Sequence, residues 1–176
     1  KLQVGRIDLL LLDTDIEQNS PEDRSITHHL YGGDWDNRFK QELLLGVGGV
    51  RLLHTINRRP TVYHLNEGHA AFALLEKIRR SLQSGVSFQA ACQAVREKTV
   101  FTTHTPVPAG HDVFPFHLIE RYFHTYWPAL TIDRDTFFKL GFHPQKPEAG
   151  FNMTALALRM SNYRNAVSKR HGEVSR

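Results

Sequence analysis

Short apolar runs and longer stretches of helical spacing alternate along the chain. Three apolar or β-branched runs, at residues 7–12, 61–65 and 99–103, predict strands, the first of them buried, and a fourth strand is predicted over 165–168. Helical patterns fill the segments between them. Because strands and helices alternate, the pattern predicts an α/β fold, with a doubly wound parallel sheet that carries helices on both faces.

The longest predicted helix runs from Asp36 to Thr55 and has apolar residues at helical spacing. The glycine-rich segment 46–49 lies inside this helix and not between a strand and a helix, so it predicts close helix packing and not a dinucleotide site. Ser20 and Ser87 are predicted helix caps. Further helices are predicted over residues 70–82, 87–98, 117–126, 133–140, 153–160 and from 171 onward.

Composition indicates one globular unit, and we interpret residues 1–176 as a single α/β domain that is incomplete at both ends. The single cysteine, Cys92, excludes an internal disulfide, predicts a buried thiol and favours a reducing, cytoplasmic location. The net charge of +4 is not concentrated in basic runs, which argues against nucleic-acid binding. No apolar run reaches the roughly 18 residues that a membrane-spanning helix needs.

Polar residues follow the predicted strands where a parallel sheet binds its ligands, beyond the carboxyl ends. Asn66, Glu67 and His69 follow the second predicted strand, and His104 and Thr105 follow the third. Their side chains can hydrogen-bond the hydroxyl groups of a sugar, and such bonds discriminate strongly between substrates. The sequence therefore predicts a carbohydrate site at this edge.

Structural interpretations compete with this one. Asn66 could cap the following helix, Glu67 could lie at the positive end of that helix, and His69 could pack on its first turn. The histidines lack the spacing and the third ligand of a metal centre, so no metal site is predicted.

Several segments together resemble the α-glucan phosphorylases of the short, prokaryotic type. The most specific is Thr102-Thr103-His104-Thr105-Pro106-Val107-Pro108-Ala109-Gly110-His111-Asp112. Glu67-Gly68-His69 stands where the longer animal and plant enzymes have Asp-Thr-His, which fits the short type. The supporting segments are Leu12-Asp13-Thr14-Asp15, Asn19-Ser20-Pro21-Glu22-Asp23-Arg24, Leu30-Tyr31-Gly32-Gly33-Asp34, Tyr63-His64-Leu65-Asn66-Glu67-Gly68-His69, Phe151-Asn152-Met153-Thr154 and residues 167–175.

The resemblance implies part of the N-terminal, Rossmann-like domain of a two-domain GT-B glycosyltransferase. Such enzymes transfer the terminal glucose of an α-1,4-glucan to inorganic phosphate and release glucose 1-phosphate. Their cofactor is pyridoxal phosphate, and its Schiff-base lysine belongs to a C-terminal domain that this chain lacks. We therefore expect no cofactor-binding residue in this chain and no turnover by the isolated chain.

The resemblance also implies roles for the residues at the sheet edge. His104 corresponds to a catalytic histidine beside the transferred glucose, which binds the hydroxymethyl group and offers its backbone carbonyl to the positive charge that develops at the anomeric carbon. The residues to which it assigns glucan binding are Asn66, Glu67, His69, Thr105 and Asp112.

Two other functions compete. A nucleotide-sugar-dependent glucan synthase would share the fold, although the loop at 105–112 favours the phosphorylase. A non-catalytic glucan-binding protein could use a platform formed by Tyr122, Phe123, Tyr126 and Trp127, although their helical spacing favours packing. The sequence leaves the oligomeric state open, including a homodimer.

Overall fold

The structure is a computed structural model that describes residues 1–30, 32–104 and 111–175. Within these residues, helices accompany a three-stranded parallel sheet, and two separate pairs of strands are antiparallel. No helix in the described ranges is both long and apolar enough to cross a membrane. The architecture is mixed α/β, which confirms the predicted class.

The chain begins with an exposed antiparallel hairpin. Strand β1 (Leu2–Val4) pairs with strand β2 (Ile7–Leu9) across a turn in which Gly5 has a φ of +59°. The prediction of a buried strand over 7–12 is wrong, because the strand ends at Leu9 and the Ile7 side chain is 69% exposed. Apolar composition predicted the strand correctly, but it does not specify which surface covers the strand.

Helix α1 (Pro21–Arg24) begins as the sequence predicts, with the Ser20 side chain accepting a hydrogen bond from the backbone N–H of Asp23. The predicted long helix is continuous in space but includes one π-helical turn. Its parts are α2 (Trp35–Leu43), the π turn (Leu44–Gly48) and α3 (Gly49–Thr55).

Gly46 explains why this helix needs small residues. A Cβ atom at Gly46 would lie 2.7 Å from the backbone nitrogen of Ala73 and 2.9 Å from the Cβ of Phe72. Any larger residue would therefore push the π turn away from the neighbouring helix. The predicted close packing is confirmed.

The next segment supplies two strands of the parallel sheet and the helices between them. Ser87 caps the second of these helices as predicted, because its side chain accepts a hydrogen bond from the Ala90 N–H. The elements are β3 (Tyr63–Asn66), a 3₁₀ turn (Gly68–Ala70), α4 (Phe72–Leu82), α5 (Phe88–Glu97) and β4 (Thr99–Thr103).

The last segment is helical where predicted, although the structure has two helices where one was predicted over 117–126. Its final strand lies two residues earlier than the predicted 165–168. The elements are β5 (Val113–Phe114), α6 (Phe116–Phe123), α7 (Tyr126–Ala129), α8 (Arg134–Leu140), a 3₁₀ turn (Pro147–Ala149), β6 (Phe151–Asn152), α9 (Met153–Arg159), β7 (Tyr163–Ala166) and α10 (Lys169–Val174).

Strand β4 is the centre of the parallel sheet and pairs with β3 on one side and with β7 on the other. Leu65 and Phe101 are neighbours on one face and are buried, whereas Tyr163 on the opposite face is 60% exposed. The described residues thus cover one face and leave much of the other exposed. The doubly wound arrangement stays a prediction.

Buried phenylalanine rings join the helices into one core. The Phe39 and Phe114 ring centroids are 4.9 Å apart at an interplanar angle of 80°, and those of Phe72 and Phe123 are also 4.9 Å apart. Fully burying each ring contributes about 2–3 kcal/mol. Trp127 also packs against this core, as do Tyr122 and Tyr126. The predicted packing of these aromatic residues is confirmed.

Candidate active site

The chain makes a tight turn as it leaves β3. Glu67 has a φ of +63°, a left-handed conformation that is costly for a non-glycine residue, and its backbone N–H donates to the Thr102 carbonyl at 3.0 Å. Gly68 follows, and a Cβ there would lie 3.1 Å from the Met153 Cβ and from the Thr154 nitrogen. The turn is therefore held between β4 and the beginning of α9.

The side chain of Glu67 connects the ends of two strands. It is only 5% exposed, and its Oε1 atom accepts a hydrogen bond from the backbone N–H of His104, the residue that follows β4. A carboxylate bonded to a backbone N–H makes a charge-assisted hydrogen bond, which is stronger than a bond between neutral groups. Two of the sequence-predicted site residues are therefore in direct contact.

Asn66 and the His104 side chain are both exposed at this edge. Asn66 is the last residue of β3 and lies opposite Thr102. The capping interpretation of Asn66 is wrong, because Glu67 occupies the cap position of the 3₁₀ turn and makes no capping hydrogen bond. Thr105 lies outside the described residues.

His69 belongs to a cluster of charged residues that includes a second predicted residue, Asp112. The His69 Nδ1 atom lies 2.8 Å from the Asp112 Oδ2 atom and 3.4 Å from the Glu42 Oε1 atom. The Arg38 Nη2 atom lies 2.9 Å from Glu42 Oε1 and 3.2 Å from Asp112 Oδ2. His69 is therefore tied to other side chains and does not merely pack on its own helical turn.

The cluster changes the protonation of its members. Burial raises the pKa of Glu42 to about 8, so this carboxyl is largely neutral at neutral pH. The hydrogen bond to Asp112, followed by that to Glu42, raises the pKa of His69 to about 9, so the imidazole is charged. The cluster at neutral pH therefore holds a neutral acid next to a charged histidine.

Asp112 remains ionised in this cluster. Burial opposes its ionisation, yet hydrogen bonds from His69 and Glu42 outweigh that effect and hold the Asp112 pKa well below its usual value. A proton on His69 Nδ1 therefore points at this carboxylate. The Arg38 Nη2 atom lies 2.8 Å from the same Nδ1 atom, and its own protons go to the two carboxyl groups.

The cluster also contains the residue types that bind metal ions, and the ligand atoms of Glu42, His69 and Asp112 lie within 4.8 Å of one another. The Arg38 Nη2 atom is within 3.2 Å of all three. A guanidinium therefore occupies the position in which a metal cation would sit. The geometry favours an ion-pair cluster.

Sequence reasoning missed Arg38 and Glu42, although their spacing of four residues on one helix predicts an ion pair. It also missed a polar chain across the exposed face of the sheet. In this series of hydrogen bonds, the His64 Nε2 atom lies 2.6 Å from the Thr102 hydroxyl. The Thr102 hydroxyl donates to Asn165 Oδ1 at 2.8 Å. These bonds connect all three strands near the carboxyl edge.

Open parallel α/β sheets bind their ligands beyond the carboxyl ends of the strands, which is the edge where these hydrogen-bonding side chains lie. No protein-family profile matches the chain. Among characterised proteins it is 48% identical to the maltodextrin phosphorylase of Thermococcus litoralis, over 100% of this chain and 20% of that protein. It is 44% identical to the glycogen phosphorylase of Mycobacterium tuberculosis, over 99% of this chain and 21% of that protein.

The glycogen phosphorylase of Aquifex aeolicus is 40% identical, over 99% of this chain and 25% of that protein. The chain is thus homologous over its whole length to the glycogen and maltodextrin phosphorylases, and it spans about a fifth to a quarter of the length of these relatives.

Proposed function

We propose that this chain forms the glucose-binding part of an α-glucan phosphorylase, which transfers the terminal glucose of an α-1,4-glucan to inorganic phosphate and releases glucose 1-phosphate. The observation that supports this most is the hydrogen bond between the Glu67 carboxylate and the His104 backbone N–H. It joins the segment that resembles the family most specifically to one of the supporting segments, at the edge where a parallel sheet binds its ligands.

His104 is the catalytic residue in this proposal. Its exposed ring binds the hydroxymethyl group of the terminal glucose, and its backbone carbonyl faces the anomeric carbon, where positive charge develops as the glycosidic bond breaks. A fixed carbonyl dipole stabilises that charge without having to reorient during the reaction. The value of this arrangement depends on how firmly the His104 backbone is held.

Glu67 supplies that constraint. Because its carboxylate is buried and bonded to the His104 N–H, it fixes the peptide that precedes His104. The strained backbone of Glu67 itself is held by its bond to the Thr102 carbonyl. In this proposal Glu67 is a positioning residue, and the exposed Asn66 side chain bonds sugar hydroxyls directly.

His69 and Asp112 act together in the proposal. Their mutual hydrogen bond of 2.8 Å fixes the imidazole, and His69 is proposed to bond a sugar hydroxyl or a water in the glucan channel. Thr105 is proposed to contact the same channel. Because the His69 imidazole is charged, it acts as the hydrogen-bond donor to the sugar hydroxyl or the water.

Pyridoxal phosphate is the cofactor that the family resemblance implies, and the described lysines do not fit it. Lys77 comes nearest, since burial lowers its pKa to about 8. Its Nζ atom, however, lies 3.6 Å from the centroid of the Tyr63 ring, with the charge of Lys98 nearby. We therefore propose that the cofactor is held by a second domain outside these 176 residues.

The remaining proposals concern the complete enzyme. Residues 1–176 would be part of the N-terminal domain of a two-domain GT-B fold, with the active site in the cleft between the domains. The second domain would be the main partner, the enzyme would be cytoplasmic, and a homodimer is compatible with the proposal. The 176-residue chain alone would not release glucose 1-phosphate.

The test is kinetic and uses a full-length phosphorylase that contains this segment. His104→Ala is expected to lower kcat/KM for glucose 1-phosphate formation at least about a hundredfold, which is typical of the loss of a preorganised stabilising group. His117→Ala, a change at an exposed histidine on α6, is the matched control and is expected to leave the rate unchanged.

Retention of full activity in His104→Ala would refute the role of this histidine. Glucan extension from a nucleotide sugar, without glucose 1-phosphate formation from phosphate, would instead identify the enzyme as a synthase. Glu67→Gln keeps the shape of the side chain but weakens its bond to His104. It is expected to lower kcat by about tenfold with little change in KM.

A further inference from the structure

A threonine hydroxyl lies in the middle of the parallel sheet, close to its carboxyl edge. Thr102 belongs to the central strand β4 and is only 5% exposed. Its partners in register are Asn66 on β3 and Asn165 on β7, so three polar residues form a row across the sheet. Paired residues of neighbouring strands have their side chains on the same face. The row therefore brings Thr102 and Asn165 to the face of the sheet that carries the Asn66 side chain.

The hydrogen bonds of this hydroxyl have a defined direction. Thr102 donates its hydroxyl proton to Asn165 Oδ1 at 2.8 Å. Because a hydroxyl has only one proton, the 2.6 Å contact between Thr102 Oγ1 and His64 Nε2 requires the imidazole to donate. Donation therefore runs from β3 through β4 to β7. A hydroxyl that accepts one bond and donates another is polarised by both partners, which strengthens the two bonds.

The backbone of the same threonine is bonded to the turn at the end of β3. The Thr102 carbonyl accepts a hydrogen bond from the Glu67 N–H at 3.0 Å, and the Glu67 carboxylate accepts one from the His104 N–H. These two bonds connect Thr102 to His104 through the side chain of Glu67, in addition to the covalent chain through Thr103. A displacement of Thr102 would therefore also displace the peptide that precedes His104.

The strand itself does not need a hydroxyl at this position. Valine is β-branched like threonine and is also favoured in strands. The side chains of His64 and Asn165 are both exposed in the described chain, so water would bond either group if the hydroxyl were removed. The two side-chain bonds of Thr102 therefore contribute little to the free energy of folding. What they fix is the position of the β4 end relative to the ends of β3 and β7.

We propose that Thr102 is a positioning residue for the reaction at His104, and that His64 and Asn165 hold its hydroxyl in place. The inference rests on the proposed function, because Thr102 acts through the backbone of His104 and makes no contact with the substrate. A carbonyl dipole stabilises the charge at the anomeric carbon only while it stays correctly placed. Small displacements of reacting groups lower the rate of the chemical step even when the substrate still binds.

The experiment measures glucose 1-phosphate formation by a full-length phosphorylase that contains this segment. Thr102→Val is expected to lower kcat by about tenfold and to leave KM nearly unchanged, because the loss affects placement in the transition state and not binding. Thr102→Ser keeps the hydroxyl and is expected to restore most of kcat. Asn165→Ala removes the acceptor at an exposed position and is expected to lower kcat by about threefold. It keeps the test valid if Thr102→Val does not fold.

Thr61→Val is the matched control, since it makes the same change at an exposed residue that precedes β3, at the opposite end of the sheet. It is expected to leave kcat and KM unchanged. Urea denaturation of the 176-residue chain is expected to give the same midpoint for Thr102→Val and Thr102→Ser, which separates a loss of positioning from a loss of folding.

His104→Ala, measured in parallel, separates this inference from the proposed function. If His104→Ala loses activity while Thr102→Val keeps the full kcat, the positioning role of Thr102 is refuted and the proposed function stands. Equal losses of kcat in Thr102→Val and Thr102→Ser, or a change confined to KM, would also refute that role. Full activity in His104→Ala would overturn the proposed role of His104 and this inference with it.

Discussion

Two glutamates on neighbouring helices are equally buried but differ in their partners. Glu76 on α4 is fully buried, and Glu42 on α2 is 1% exposed. Glu76 accepts hydrogen bonds from Arg79 at 2.7 and 2.8 Å, from Arg51 at 3.2 Å and from the Tyr126 hydroxyl at 2.6 Å. Glu42 shares one guanidinium nitrogen with Asp112, and its Oε2 atom has no hydrogen-bond partner among the described residues.

The difference in partners produces opposite shifts in protonation. Burial opposes the ionisation of Glu76, but its hydrogen bonds, led by that from Arg79, outweigh burial and lower its pKa. Burial prevails at Glu42 and raises its pKa to about 8. A buried acid with two cations and a phenol supports the fold, whereas a buried acid that shares its cation can change protonation near neutral pH.

The largest predicted effect follows from removing the charge of Glu76. Glu76→Gln is expected to lower the free energy of unfolding at pH 7 by about 3 kcal/mol, because it leaves the mostly buried Arg79 without its carboxylate, whereas the more exposed Arg51 stays solvated. Glu42→Gln replaces a carboxyl that is already largely neutral, and it is expected to cost less than about 1 kcal/mol. Urea denaturation of both variants measures the difference, and equal losses would refute the distinction between the two acids.

A second prediction concerns the pH dependence of stability. The pKa of His69 is raised from 6.5 to about 9, so the folded chain holds a proton that the unfolded chain releases over this range. Its contribution is complete below about pH 6.5 and is lost as the pH rises through about 9. The pKa of Glu42 is raised from 4.5 to about 8, so its protonation also stabilises the folded chain. This contribution is lost as the pH rises from about 4.5 through about 8.

The free energy of unfolding is therefore expected to be lower at pH 9 than at pH 6, as measured by urea denaturation at both values. His69→Gln is expected to reduce this difference, and His117→Gln, at the exposed histidine of α6, is the control that retains it. A His69→Gln variant with an unchanged pH dependence would show that His69 does not carry the effect.

A third prediction, smaller than that for Glu76→Gln, concerns the phenol that bonds Glu76. Tyr126→Phe removes one hydrogen bond of 2.6 Å and leaves both arginines in place. The expected loss of stability is about 1–2 kcal/mol, since one bond to a charged group disappears while the charge stays paired. The melting temperature, compared with that of the unmodified chain, measures this loss. A loss as large as that of Glu76→Gln would instead make the phenol the main partner.

Much of the fold could be predicted because local pattern and burial agree. The strand at 99–103 and the helix caps at Ser20 and Ser87 are confirmed. The prediction of a buried strand over 7–12 was wrong because a strand in a core and a strand in an exposed hairpin can have the same apolar composition. The last strand was predicted two residues too late because its sequence, Tyr163-Arg164-Asn165-Ala166, is mostly polar. Its pairing with β4 determines its position more than its composition does.

Less of the candidate site could be predicted. The rule for parallel sheets selected Glu67 and His104, and the structure brings them into contact. It could not predict that Glu67 bonds a backbone N–H, because that bond depends on the left-handed turn at Glu67. The contact between His69 and Arg38 depends on how α2 packs beside the 3₁₀ turn. The spacing of residues along the sequence does not predict this packing.

The most direct test of the proposed glucose site is a crystal structure of a full-length phosphorylase containing this segment, grown with a maltodextrin. The account predicts that the terminal glucosyl ring lies within hydrogen-bonding distance of the His104 ring and of Asn66, with Glu67 still bonded to the His104 backbone N–H. A terminal glucose bound with no contact to His104, while the site is fully occupied, would contradict it.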